Sequence, residues 1–240
     1  MKKTDFIEIK NYYKKAGQGG KLGIAFDKKG KKYLLKKGEY GEPANEYVYS
    51  LVAKNVGVSC QTCHLVAGFG FPVVAFDYIT PMQSNQQKIF DRNLITDDFV
   101  KAMVLDVLTR QDDGLQYVIS SNGKFYKIDN SEAFIFDKVD EYVLTSQSDQ
   151  FIADYYTKRE DECEYIVGSI ERLKKTIIDK FGAEQIDNFN FVLQQFLFTD
   201  FNFLSNDKEL KAVYSAETYK YFLFKINVIK KAIKYVLDNQ

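Results

Sequence analysis

Apolar and polar positions alternate with a period of two in short stretches through the first third of the chain. Over most of the remainder the apolar positions recur at three- and four-residue spacing. Leu22-Gly23-Ile24-Ala25-Phe26 and Tyr33-Leu34-Leu35-Lys36 flank Asp27-Lys28-Lys29-Gly30-Lys31-Lys32, which predicts strand, tight turn, strand. A glycine cluster from Ala16 to Gly23 predicts another turn before them. Over residues 43–57, Ala44, Tyr47, Val48, Leu51, Val52 and Val56 fall on one helical face, with Pro43 near the start and Gly57 as the stop. Glu46 is placed in the first turn of this helix, where a carboxylate complements the dipole. Val58 to Gly68 predicts a strand and Gly68 to Pro72 a turn. Val73 to Ile79 predicts a buried strand that Thr80-Pro81 ends.

Beyond residue 81 the character changes. Gln83 to Asn93 is polar and predicts a loop, and Thr96-Asp97-Asp98-Phe99 predicts a helix start with Thr96 as its N-cap. Tyr117-Val118-Ile119 and Phe125 to Ile128 predict a hairpin turning at Ser120 to Gly123. Within it, Tyr126 and Ile128 are expected on the buried face, and Asp129 sits where the strand gives out. Helices are expected over roughly 148–157, 160–181, 184–198 and 215–238. Strands followed by helices imply an α+β chain of two lobes with a cleft between them. The expected division is a β-rich lobe over 1–80 and a helical lobe over 81–240.

Composition narrows the class without changing this picture. A chain of 240 residues, 45% hydrophobic and 28% charged, can bury a substantial core as a globular protein. Lys+Arg and Asp+Glu balance at 33 each, so bulk charge does not indicate a nucleic-acid binder. Residues 1–40 hold 12 Lys against Asp5, Glu8, Asp27 and Glu39. These lysines gather at hairpin tips, where they blunt sheet edges. No apolar run approaches the roughly 20 residues that span a bilayer, and the amino terminus lacks the apolar core of a signal peptide. With only three cysteines, a reducing cytoplasm is expected. Cys60, Cys63 and His64 suggest zinc by spacing, but a single His and no second Cys pair fall short of a ligand set. They read as strand residues with small buried thiols.

The candidate chemistry is an ordered set of parts. Gly17, Gly19 and Gly20 would let backbone N–H groups approach a phosphate. Lys36 and Lys37 end an apolar strand on opposite faces, so one of them can point into a cleft as a phosphate-binding point charge. Glu46 is the candidate partner of Lys36. Downstream come Asp112 and Asp113 in a polar loop, Gln116 before a short strand, and Asp129 after the next one. The hairpin would bring these four to one end. Phosphoryl transfer needs such a set: carboxylates at the acceptor hydroxyl and on Mg2+, a second oxygen ligand, a cation on the nucleotide phosphates and a covering loop.

Asp106-Val107-Leu108 through Ile119, followed by Tyr126-Lys127-Ile128-Asp129-Asn130-Ser131-Glu132-Ala133-Phe134, resembles the catalytic and metal-binding segments of HipA-like and phosphatidylinositol-4-kinase-like kinases. Tyr33 to Lys36, Ala44-Asn45-Glu46-Tyr47 and Val73 to Ile79 are similar to the lysine strand, the asparagine-glutamate helix start and the hinge strand of HipA-like kinases. The resemblance spans roughly residues 17–135. It implies a bilobal protein-kinase-like fold and ATP- and Mg2+-dependent transfer to Ser/Thr of a protein substrate. It also implies a possible antitoxin-like protein partner. Under it, Lys36 binds ATP phosphates with Glu46 as its ion-pair partner, and Phe76, Asp77, Tyr78 and Ile79 hold the adenine. Asp129 and Gln116 are the expected metal ligands, and Asp112 or Asp113 the catalytic carboxylate. The loop Asp112 to Gln116 departs from the pattern: it lacks the family's His, is shorter, and has Gln where the family has Asn. A pseudokinase with impaired catalysis and a lipid or small-molecule kinase are the alternatives.

Overall fold

The computed structural model describes residues 1–16, 20–38, 41–82, 93–111, 114–135, 161–214 and 218–239. Its first part is a five-stranded antiparallel sheet of β1 (Phe6–Ala16), β2 (Gly20–Asp27), β3 (Lys32–Lys37), β4 (Cys63–Leu65) and β5 (Val73–Asp77), in the order β1-β2-β3-β5-β4. Since β5 runs antiparallel to both β3 and β4, those two are parallel to each other. A parallel pair needs a crossover, and helix α1 (Glu42–Asn55) supplies it. Pro43 lies in the first turn of α1, and Gly57, at φ 74°, follows its end.

After β5 the chain forms α2 (Asn93–Thr109) and the two-stranded hairpin β6 (Tyr117–Ile119) and β7 (Phe125–Lys127). Then come α3 (Asp161–Phe181), α4 (Ile186–Phe198), α5 (Lys208–Val213) and α6 (Thr218–Asp238). The predicted helix over 148–157 lies outside the described residues. Among those described, no helix is long and apolar enough to cross a membrane.

One continuous core joins the inner face of α1 and of β4 and β5 to α2, β7 and the later helices, through residues such as Val52, Leu65, Leu105, Phe134 and Phe222. A smaller cluster of Phe6, Tyr33, Leu35, Val73 and Ala75 covers the other face of the sheet. Strand alternation therefore turns Leu35 outward and Lys36 inward, toward α1.

Several sequence expectations need correction. Phe6–Ala16 is a full strand that the polar character of the amino terminus concealed; among the described residues it is an edge strand paired with β2. Gly20 to Gly23 belong to β2 and not to a turn. Of the stretch from Val58 to Gly68 only Cys63–Leu65 is a strand of the sheet, while Cys60 makes an isolated bridge to Lys127. Helix α2 opens at Asn93, so Thr96 lies inside its first turn. The first-turn acid of α1 is Glu42; Glu46 lies four residues further on, past the first turn and free of a dipole role.

Candidate active site

Lys36 and Lys37 part company as alternation demands. Lys36 Nζ lies 2.9 Å from Glu46 Oε1 and 2.7 Å from Asp129 Oδ1. Lys37 instead places its ammonium 4.3 Å from the centre of the Phe71 ring. The sheet, the crossover helix and the turn after β7 thus each contribute one charged group to a single cluster.

Two side chains of α1 dock on that turn. Asn45 Nδ2 donates to the Ser131 carbonyl at 2.8 Å, and Glu46 Oε2 accepts the Asn130 N–H at 2.8 Å. Glu46 is almost fully buried, whereas the Asp129 side chain keeps 35% of its surface exposed. Glu46 is therefore the enclosed anchor of the lysine and Asp129 the reachable carboxylate.

Asp129 adopts φ 56°. The left-handed region is uncommon for a residue with a Cβ, although Asp tolerates it better than most, and such strain persists where surrounding contacts over-determine it. Those contacts are present. The Ile128 N–H donates to the Gln116 carbonyl at 3.0 Å, and Gln111 Nε2 donates to the Asp129 carbonyl at 3.3 Å. The Phe134 N–H then closes the segment on the Thr109 carbonyl at 2.7 Å.

Burial would raise the Asp129 carboxyl, but the Lys36 ammonium outweighs it and holds the group below the usual carboxylate range. For Lys36, burial opposes the charge and the two carboxylates more than restore it, so its pKa is raised. Burial pushes Glu46 up against the opposing pull of Lys36 and the Asn130 N–H.

The sequence-predicted residues distribute as follows. Lys36, Glu46 and Asp129 meet directly. Gln116 shares the same end of the β6–β7 hairpin, level with Ile128. Phe76 is buried in the core against α1. Asp77 forms an ion pair with Lys31 at 2.7 Å, and the ring of Tyr78 lies under the Lys32 ammonium at 3.5 Å. Tyr33 pairs with Asp77 and Lys36 with Val74, so Ile79 and its neighbours sit about 10 Å or more along the sheet from the lysine, at roughly 3.3 Å per residue. The N–H groups of Asp77 and Tyr78 are spent on the carbonyls of Thr62 and Lys32. Gly17, Gly19, Asp112 and Asp113 lie outside the described residues, and Gly20 opens β2 opposite Ala16.

Sequence reading missed a second, buried polar layer. Tyr126 and Ile128 were the expected buried face of β7, but Phe125 and Lys127 are buried and Tyr126 and Ile128 are half-buried. Lys127 is inaccessible to solvent because Asp106 on α2 and the carbonyl of Ile128 receive it inside. Tyr49 OH donates to Asp106 Oδ1 at 2.7 Å. Burial raises the Asp106 carboxyl to about 7 despite Lys127 and the Tyr49 hydroxyl. A lysine in the middle of an apolar strand run was the one available signal.

Cys63 is also part of this layer, donating to the Glu46 carbonyl at 3.3 Å and to Ser50 Oγ at 3.2 Å. With Cys60, His64, Lys54 and Lys124 it lines a cavity of about 560 Å3 beside α1. Burial pushes the Cys60 thiol up to about 12, so it is a neutral group there and a poor metal ligand.

Mg2+ is bound through one or two carboxylates with the remaining positions left to phosphates and water. The donor set suits that demand: Asp129 is ionised and reachable, and an amide side chain at Gln116 stands on the adjoining strand end.

No protein-family model matches the chain, and no curated protein matches it by sequence. Solved structures do resemble it. The proinflammatory kinase CtkA of Helicobacter pylori is 14% identical, with 98% of this chain and 99% of that chain covered at a TM-score of 0.51. Two others are fainter and carry no weight. The Rio2 kinase of Chaetomium thermophilum in its ADP/Mg2+-phosphoaspartate complex is 11% identical, covering 96% and 72% at 0.36. The MAP kinase LmaMPK10 of Leishmania major is 11% identical, covering 96% and 83% at 0.28. With its antiparallel sheet, crossover helix and helical second part, the chain has a bilobal protein-kinase-like α+β fold.

Proposed function

We propose that the protein is an ATP- and Mg2+-dependent kinase that transfers the γ-phosphate to a Ser or Thr hydroxyl of a protein substrate, in the manner of HipA-like kinases. The observation that carries the reading is the Lys36 ammonium held between Glu46 and Asp129 at 2.9 and 2.7 Å. The likeness of the whole chain to CtkA, itself a kinase, supports it.

In this reading Lys36 is the point charge for nucleotide phosphates, and Glu46 keeps it extended across the cleft. Asp129 and Gln116 would hold Mg2+, which neutralises charge on the phosphates when bound. Asp112 or Asp113 would accept the proton of the acceptor hydroxyl. Phe76 to Ile79 would border the adenine.

The test is incubation of the purified protein with labelled ATP and Mg2+, with mass spectrometry for phosphoserine or phosphothreonine on the protein itself and on added protein acceptors. Lys36→Ala and Asp129→Ala are expected to abolish transfer and His64→Ala to leave it. Full transfer by Asp129→Ala overturns the reading. The Gln at position 116 favours a second reading, a nucleotide-binding pseudokinase. It predicts Mg2+-dependent stabilisation by ATP, about 2.7 kcal/mol at one hundred times the dissociation constant, without transfer.

A further inference from the structure

Lys127 is fully buried, stands two residues before Asp129, and has no part in the chemistry just described. Taking an ammonium out of water costs several kcal/mol unless its donors are matched inside. Here they are matched by the site's own backbone. Lys127 Nζ donates to the Ile128 carbonyl at 2.8 Å and to the Asp129 carbonyl at 3.4 Å. Asp106 Oδ2 lies 3.7 Å away, and the Tyr49 ring centre 5.8 Å. The Tyr49 hydroxyl holds Asp106 in turn.

The root of the side chain is equally fixed. The Lys127 N–H donates to the Ser59 carbonyl, and its own carbonyl accepts the Gln61 N–H, both at 3.0 Å. The ammonium therefore reaches from a pinned strand into the turn where Asp129 is held at positive φ.

We propose that Lys127 is a positioning residue for Asp129. Its buried ammonium, braced by Asp106, draws the Ile128 and Asp129 carbonyls inward and so keeps Asp129 in the left-handed conformation from which its carboxylate meets Lys36. The proposal deepens the kinase reading, because it takes Asp129 as the metal-binding carboxylate. An apolar side chain of equal length would fill the space but could not hold the carbonyls.

The test is the double variant Lys127→Met with Asp106→Asn, which removes the cation without stranding its partner's charge. Two readouts separate positioning from packing. Exchange of the Asn130 amide, which the Asp129 turn presents to Glu46, is expected to speed up about tenfold or more while the Phe134 amide keeps its protection. In steady-state transfer, the Mg2+ concentration at half-maximal rate is expected to rise about tenfold and kcat to fall, with KM for ATP at saturating Mg2+ nearly unchanged. Unchanged protection at Asn130 in the folded variant overturns the proposal, whatever the activity. So does an unchanged Mg2+ dependence in an active protein. If the parent neither binds Mg2+-ATP nor transfers phosphate, the kinase reading has failed and Asn130 exchange alone decides this proposal. Should the double variant not fold, Lys127→Leu with Asp106→Leu, an apolar pair in the same place, is read by the same exchange measurement.

Discussion

The Asn130 N–H donates to Glu46 Oε2 at 2.8 Å, so the carboxylate that holds Lys36 is also fastened to the turn that carries Asp129. One side chain thereby ties the sheet, the crossover helix and the second lobe together. Glu46→Ala would leave the Lys36 ammonium with one partner and the Asn130 N–H with none. Truncating one member of a buried pair costs about 3 kcal/mol or more. Glu46→Gln keeps an acceptor and should lose less. Urea unfolding of the three proteins checks the order; an Ala variant as stable as the parent would show that Glu46 does not join the lobes.

Asp106 makes stability depend on pH in a defined window. Its carboxyl titrates near 7 in the folded chain and near the ordinary 3.8 when unfolded. Between about pH 4 and 7 the native state holds a proton that the unfolded state has released. Stability is therefore highest at the acid end of this window and falls as pH rises through it, by at most about 1.4 kcal/mol per unit. Above the folded value this term is flat. Asp129, whose carboxyl is depressed, acts in the opposite sense and only below this window. Melting temperatures of the parent and Asp106→Asn from pH 4 to 8 check the slope: the parent's should fall across this window by an amount that the variant, with no carboxyl to titrate at this place, does not show.

Gly57 and Gly30 both sit at positive φ, near 74° and 77°. They differ in space. A Cβ on Gly57 would stand 3.1 Å from the Phe191 ring of α4, whereas nothing lies within 4 Å of one on Gly30. Strain alone costs each Ala variant about 1 kcal/mol. Gly57→Ala should exceed Gly30→Ala in thermal denaturation, because the Phe191 ring lies against the glycine that follows α1. Equal losses would mean that Phe191 yields freely.

Gln116 is one methylene longer than the Asn expected there from the family resemblance. On the kinase reading, Gln116→Ala should lower kcat by about 100-fold, the usual effect of deleting one preorganised polar group. Gln116→Asn should keep or raise it. Transfer assays across a Mg2+ titration check both. Transfer gained only in the Asn variant would mark the parent as a pseudokinase.

Local physics made much of the fold legible. Periodicity located β2, β3, β5, the β6–β7 hairpin and most of the helices, because each buries a face whose spacing is written along the chain. The order of strands followed by helices implied two lobes. Strand alternation determined that Lys36 and Lys37 oppose each other, and chain order singled out Lys36, Glu46 and Asp129. Which lysine faces the cleft depended on which side of the sheet α1 covers, and that is a matter of crossover and packing. The strand face of β7 was decided the same way. Pattern favoured Tyr126 and Ile128, yet Lys127 is the buried residue, since Asp106, 21 positions earlier on another element, makes a charge tolerable inside. Sequence alone determined the elements and the candidate charges. Tertiary structure decided which charges meet, because a buried ion is permitted only where a distant partner and the backbone arrive to receive it.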